Sequence, residues 1–141
     1  AIQELLMYFT DLDVNFEKEE CIFNSKDIHI LKLRTVMKNM DFSLGKCINR
    51  EELYYDLIKE DIFTKYEICS YPGVVIRYLG IDSMERDGRC HCNNFECNCR
   101  SITFLVFQSG KVLFILGNHT DEEQKYAYDW FINFVKDKYI L

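Results

Sequence analysis

The run Cys90-His91-Cys92-Asn93-Asn94-Phe95-Glu96-Cys97-Asn98-Cys99 holds four of the chain's seven cysteines. Two Cys-x-Cys pairs with four residues between them allow Cys90, Cys92, Cys97 and Cys99 to surround one tetrahedral Zn²⁺, with His91 as a substitute ligand. Ligation by four thiolates leaves no open position for a water molecule, so the chemistry expected is structural: a staple for a loop. Conventional zinc loops use Cys-x₂-Cys, and free or oxidisable thiols are the other reading of this cluster. The local density of cysteines favours metal over a disulfide framework. No nucleophile elbow, phosphate-binding Gly-rich loop or recognisable catalytic carboxylate pair accompanies it, and an enzyme is not expected.

Two other stretches must build the body that carries this loop. Ser70-Tyr71-Pro72-Gly73-Val74-Val75-Ile76-Arg77-Tyr78 and Ile102–Gly117 are rich in β-branched and aromatic residues, and Ser109-Gly110-Lys111 forms a turn between two apolar runs. A curved antiparallel sheet is expected. The first strand is read over 28–44, with Val36, Met40, Phe42 and Leu44 towards the helices. Thr35, Met37, Asn39, Asp41 and Ser43 fall on the opposite side. Lys38 breaks the inner set and would snorkel towards an edge.

Asn49 with Glu52 is a capping-box-like start for a helix at about residues 50–60. A strand is expected over 68–79, in which Pro72 demands an edge, kink or bulge. Residues 81–100 form an inserted polar loop, followed by a hairpin of 101–107 and 112–117. Thr120-Asp121-Glu122-Glu123 is a second capping box, and Ala127, Trp130, Phe131, Phe134 and Val135 keep helical spacing to about Lys138. Cys21, Cys47 and Cys69 read as small core residues, and His29 and His119 as packing or capping residues.

At 141 residues and 48% hydrophobic, with 11 Phe and 9 Tyr, the chain has the size and apolar content of one folded domain. It has no apolar run long enough to span a membrane and no basic region of a signal peptide, so an intracellular protein is expected. Ile2, Leu5, Leu6, Met7 and Phe9 lie on roughly helical spacing. Residues 1–27 are accordingly read as the tail of a preceding helix and a linker, and 28–141 as the domain.

Tyr71-Pro72-Gly73-Val74-Val75-Ile76-Arg77, followed by Phe104-Leu105-Val106-Phe107-Gln108-Ser109-Gly110-Lys111, resembles one repeat of the TATA-box-binding protein family. That repeat carries Phe-Pro-Gly-Leu-Ile-Tyr-Arg and Leu-Ile-Phe-x-Ser-Gly-Lys in the same order, apart from an insertion here. The resemblance spans roughly 29–141 and implies an α+β fold, half of a saddle, with helices on the convex face of the sheet. The divergence, the Asn- and Lys-rich character and the added cysteine loop resemble the TATA-binding-like proteins of large DNA viruses. A second half is implied, from a repeat in cis or a dimer partner.

By the same resemblance, Tyr71 and Phe107 occupy wedge positions that enter a minor-groove base step. Wedge-inserting proteins, the TATA-box-binding protein among them, spend a few kcal/mol on each such step. Val75 and Leu105 would line an apolar floor, completed by Leu113 with Ile115 or by Phe114 with Leu116, because one extra residue between Lys111 and Gly117 leaves the register open. Asn39 would bond adenine N3 or thymine O2, and Arg77 and Lys111 would meet phosphates. The function implied is transcription initiation on AT-rich double-stranded DNA, with polymerase or transcription-factor subunits as partners, in the nucleus or a viral replication compartment.

The chain departs from the family at several of these positions. Met37 stands where the family has Asn, Asn39 where it has Val, and Tyr71 where it has the first wedge Phe. Asp41 aims a carboxylate at the same face, and the net charge is −6, the wrong sign for autonomous DNA binding. The alternative is a protein-interaction module that keeps the fold while its aromatics pack against a partner. A zinc-stapled regulatory domain of unrelated fold is the third reading.

Overall fold

A computed structural model describes residues 36–92 and 98–141. The expectations for residues 1–35, including His29, Cys21 and the first part of the long strand, lie outside the described residues, as does Cys97. Five antiparallel strands form one curved sheet: β1 (Lys38–Ser43), β2 (Phe63–Lys65), β3 (Val74–Tyr78), β4 (Ile102–Val106) and β5 (Lys111–Gly117). Their spatial order is β1-β5-β4-β3-β2. Among the described residues two α-helices, α1 (Arg50–Lys59) and α2 (Asp121–Val135), contribute Leu53, Leu57, Ala127, Phe131 and Val135 to one core with the inner face of the sheet.

Alternation decides what enters that core. Val74, Ile76 and Tyr78 of β3, Ile102, Phe104 and Val106 of β4, and Val112, Phe114 and Leu116 of β5 are all buried. The residues between them therefore lie on the other face, because successive side chains of a strand point to opposite sides. Phe104 stacks between Phe114 and Phe131, each 4.5 Å away between ring centroids and 11° from parallel. Phe42 meets Tyr128 and Phe131 edge-on on the inner side, as alternation expects, whereas Val36 and Met40 of the same expected set are exposed and the strand, expected up to Leu44, ends at Ser43. Lys38 does reach an edge: its Nζ pairs with Asp121 at the start of α2 at 3.1 Å.

Both helix starts form as the sequence reading expects. The Asn49 side chain accepts from the Glu52 N–H, while Thr120 and Glu123 complete a reciprocal capping box. Gly110, at φ +79°, turns the β4–β5 hairpin against the preceding connector; a Cβ there would lie 2.0 Å from the Lys46 carbonyl oxygen. Only glycine fits.

Three expectations change. The strand expected over 68–79 is regular only from Val74, because Glu67–Gly73 forms turns: Ser70 and Tyr71 donate back to the Glu67 carbonyl, and Pro72 has no N–H for a ladder. The edge strand β2 is absent from the sequence reading, since three residues show too little alternation to be seen. Cys47 and Cys69 are exposed, not core residues. They lie in connecting turns, where the backbone follows the surface and the neighbouring Ile48 takes the buried position.

Phe104→Ala removes the middle ring of the stack. We expect a loss of about 3–5 kcal/mol in equilibrium urea unfolding; a loss below about 1 kcal/mol, the cost of an ordinary single substitution, would show that the stack does not organise the core.

Candidate nucleic-acid interface and metal centre

The face opposite the helices is built in rows. Lys65, Val75, Leu105, Leu113 and Asp41 lie side by side across the five strands, and Phe63, Arg77, Thr103, Ile115 and Asn39 form the next row. This register resolves the open pairing of the last strand: Leu113 and Ile115 are on the free face, whereas Phe114 and Leu116 are in the core. Asn39, Val75, Arg77, Leu105, Phe107 and Lys111 all share that face by alternation, and Tyr71 joins it at one end.

Tyr71 and Phe107 stand there as a pair, with ring centroids 6.1 Å apart and planes tilted by 58°. Both rings rest on Gly73, where an added Cβ would come within 2.9 Å of Tyr71 Cε1 and 3.3 Å of Phe107 Cε1. Tyr71 is 38% exposed. Between the pair and the far edge of the sheet, Val75, Leu105, Leu113 and Ile115 form a half-buried apolar floor.

Cationic groups flank the floor. Arg77 stacks over the ring of Phe63 at 5.1 Å, and Lys65 pairs with Glu67 at 2.8 Å. Lys111 lies across the β5–β1 pair from Ser43, beside the aromatic end. Asp41 is the carboxylate at the β1 end of the first row, beside Leu113. Phe63 and Lys65, on the short strand that the sequence reading lacks, extend this face by one strand.

In the cysteine loop, Cys90, Cys92 and Cys99 bring their sulfurs within 4.8 Å of one another and could hold a metal ion. Cys90 Sγ lies 3.7 Å from Cys99 Sγ and 2.9 Å from Cys92 Sγ. Sulfurs at two corners of a tetrahedral zinc site are separated by about 3.8 Å, given Zn–S bonds of about 2.3 Å. His91 turns away from this group. Its Nε2 lies 2.9 Å from Asp87 Oδ1 and 3.1 Å from Glu85 Oε2. The hydrogen bond to Asp87, then the charges of Asp87 and Glu85, raise the His91 pKa despite partial desolvation. With Glu85 and Asp87, His91 belongs to a separate group that could itself hold a metal ion, so the expectation of His91 as a substitute ligand beside the cysteines is not supported.

The exit of the loop is clasped to α2. Arg100 gives a forked pair of bonds to Glu123, at 3.0 and 3.1 Å, and a further bond to Asp82 at 3.3 Å. Its Nη2 also donates to Nδ1 of His119 at 2.9 Å, which leaves the His119 Nε2–H to donate to the Ser101 carbonyl at 3.1 Å. His119 is thus a packing residue, as its position before the helix suggests. No family model matches the sequence, and no curated protein is significantly similar to it.

Burial opposes ionisation of Glu123, but the Arg100 fork and the Thr120 N–H outweigh it and lower the pKa to about 2. A depressed carboxylate stabilises the fold above its ordinary pKa and loses that contribution as pH falls through the folded value. We expect Glu123→Gln to cost on the order of 2 kcal/mol at pH 7, with the gap to wild type closing between pH 4.5 and about 2. Urea titrations across that range measure it; a pH-independent gap would contradict the assignment.

Proposed function

We propose that this domain is half of a TATA-binding-like saddle that binds AT-rich duplex DNA through the minor groove and bends it to initiate transcription. The observation that carries the reading is the Tyr71–Phe107 ring pair at one end of the apolar face opposite α1 and α2. A minor groove accepts apolar wedges between base steps when contacts along a bent duplex offset the unstacking. Val75, Leu105, Leu113 and Ile115 offer a floor for sugar and base edges, Asn39 a bond to an A·T acceptor, and Arg77 and Lys111 charges for phosphates. A curved sheet with both helices on the opposite face supports the same reading. The second half of the saddle comes from a repeat in cis or a second chain, and polymerase or transcription-factor subunits offset the net charge of −6.

One feature favours a second reading, a protein-interaction module of a transcription complex. Asp41 faces outward between Leu113 and the free edge of β1, where a duplex would bring phosphates and a protein partner could bring a cation.

For the cysteine loop we propose a structural Zn²⁺ held by Cys90, Cys92 and Cys99, with Cys97 as the fourth thiolate. It stabilises the loop between β3 and β4 and takes no part in chemistry. Metal analysis of the reduced protein is expected to give one zinc per chain, reduced by Cys90→Ser; substoichiometric zinc in a fully reduced sample would defeat the staple.

Energy transfer between fluorophores at the ends of an AT-rich duplex tests the DNA reading. Wild-type protein is expected to bend the duplex and Tyr71→Ala/Phe107→Ala to lose the bend, with affinity falling with salt at a log–log slope of about −0.9 per phosphate contacted. Binding without bending, or with a flat salt response, would leave the interaction module as the better account.

A further inference from the structure

The sheet ladder does not reach the ring pair. The β3–β4 register ends at Val74 opposite Val106, so Tyr71-Pro72-Gly73 and Phe107-Gln108 both lie beyond the last cross-strand rung. Each segment is fixed locally. On one side, Tyr71 N–H donates to the Glu67 carbonyl at 2.9 Å. On the other, Phe107 N–H donates to the Lys111 carbonyl and Gly110 N–H to the Phe107 carbonyl, both at 2.9 Å, while Ile48 N–H donates to the Gln108 carbonyl at 2.8 Å. These bonds hold two independent turns; they do not set the distance between them.

Arg50 spans that gap. It is the first residue of α1, on the helix side of the molecule. Its Nη1 donates to the Pro72 carbonyl, directly after Tyr71, and its Nη2 donates to Gln108 Oε1 at 3.0 Å, directly after Phe107. The guanidinium also lies over the Tyr66 ring, 5.4 Å from its centroid. Tyr66 in turn packs against Tyr54 of α1 at 5.9 Å. A planar fork with donors at fixed separation can hold two acceptors in one geometry, which a flexible ammonium does not. We infer that Arg50 is a positioning residue: one guanidinium, braced by Tyr66, fixes the spacing of the Tyr71 and Phe107 rings from behind.

The structural half of this inference stands on the hydrogen bonds alone; its consequence for DNA rests on the minor-groove reading. A duplex wedge must present its rings at a set separation before it meets the groove, because flexibility there is lost on binding and weakens it. Arg50 makes its bonds to the protein itself, so it contributes no phosphate contact and no share of the salt dependence. Replacing it should alter the bend and leave the salt slope alone.

The test uses the full chain and two readouts. Nuclear Overhauser effects between the Tyr71 and Phe107 ring protons in the free protein report the pair directly. Duplex-end energy transfer at saturating protein reports the bend. Arg50→Ala is expected to abolish the ring-to-ring Overhauser effects and reduce the bend. Gln108→Leu, on an exposed turn that does not threaten folding, should weaken them, and Gln108→Glu, which keeps the acceptor, should retain them. Should Arg50→Ala fail to fold, the Gln108 pair decides alone. Overhauser effects unchanged in Arg50→Ala, or unchanged in Gln108→Leu, would overturn the inference whatever the DNA does. A salt slope lower by about one phosphate, with the ring pair intact, would make Arg50 a phosphate ligand and overturn it equally. If the ring pair separates as expected in the variants but the wild type never bends DNA, the function is refuted and the positioning role stands.

Discussion

The stack of Phe114, Phe104 and Phe131 is the constraint from which the other features follow. It joins β5, β4 and α2 through faces 4.5 Å apart, and offset aromatic stacking is favourable beyond the area it buries. Once Phe104 and Phe114 point inward, period two leaves no freedom to their neighbours. Thr103, Leu105, Leu113 and Ile115 must face the other way, and cross-strand pairing carries the same parity to Val75, Arg77, Asn39 and Asp41. A slip of one residue in β5 would exchange Leu113 and Ile115 for Phe114 and Leu116 and invert both faces together. The face opposite α1 and α2 is therefore a by-product of the core, specified as tightly as the core is.

Beyond the ladder, a different kind of interaction takes over. The ring pair and the cysteine loop both sit where strand hydrogen bonding has ended, and each is tied back by an arginine. Arg50 joins the two turns that carry Tyr71 and Phe107, and Arg100, next to the last cysteine of the loop, joins it to the capping box of α2. Each guanidinium serves two or more acceptors, which suits a planar donor fork. Arg89 repeats the device between the loop and α1, donating to the backbone carbonyl and the carboxylate of Glu60 at 2.7 and 2.9 Å. The bulk acidity of the chain thus coexists with arginines committed to internal bonds. Among the described residues, the cations that this face offers a ligand are few: Arg77 and Lys111, with Lys65 already paired to Glu67.

That scarcity bears on how the face would work. Affinity for a duplex arises mainly from phosphate neutralisation, so under the proposed DNA reading a domain with so few cations and the Asp41 carboxylate on this face would bind weakly by itself. On that same reading, the proposed second half or a basic partner subunit supplies the remaining charge. Among the described residues no helix is long and apolar enough to cross a membrane.

Much of this was written in the sequence, for reasons of local chemistry. Asn49 and Thr120 fix the helix starts because a cap needs only residues a few positions apart. The Ser-Gly-Lys turn fixes the hairpin because Gly110 alone tolerates its backbone. The motif residues Val75, Arg77, Leu105, Phe107 and Lys111 fall on one face because alternation is a short-range rule, and Tyr71 joins them from a turn outside the strand. Tertiary structure decided what depends on distant partners. Its register chose Leu113 and Ile115 over Phe114 and Leu116, since Phe114 is the β5 ring that stacks on Phe104 in the core. Pairing with β3 made a strand of Phe63–Lys65, too short to show a period of its own. Asp87 and Glu85 claimed His91, a residue whose spacing suggested a metal ligand, because a nearby carboxylate competes for an imidazole regardless of sequence pattern. Arg50 carried no motif at all. Its role exists only because a helix start, a proline carbonyl and a hairpin glutamine, far apart along the chain, are brought within one side chain's reach.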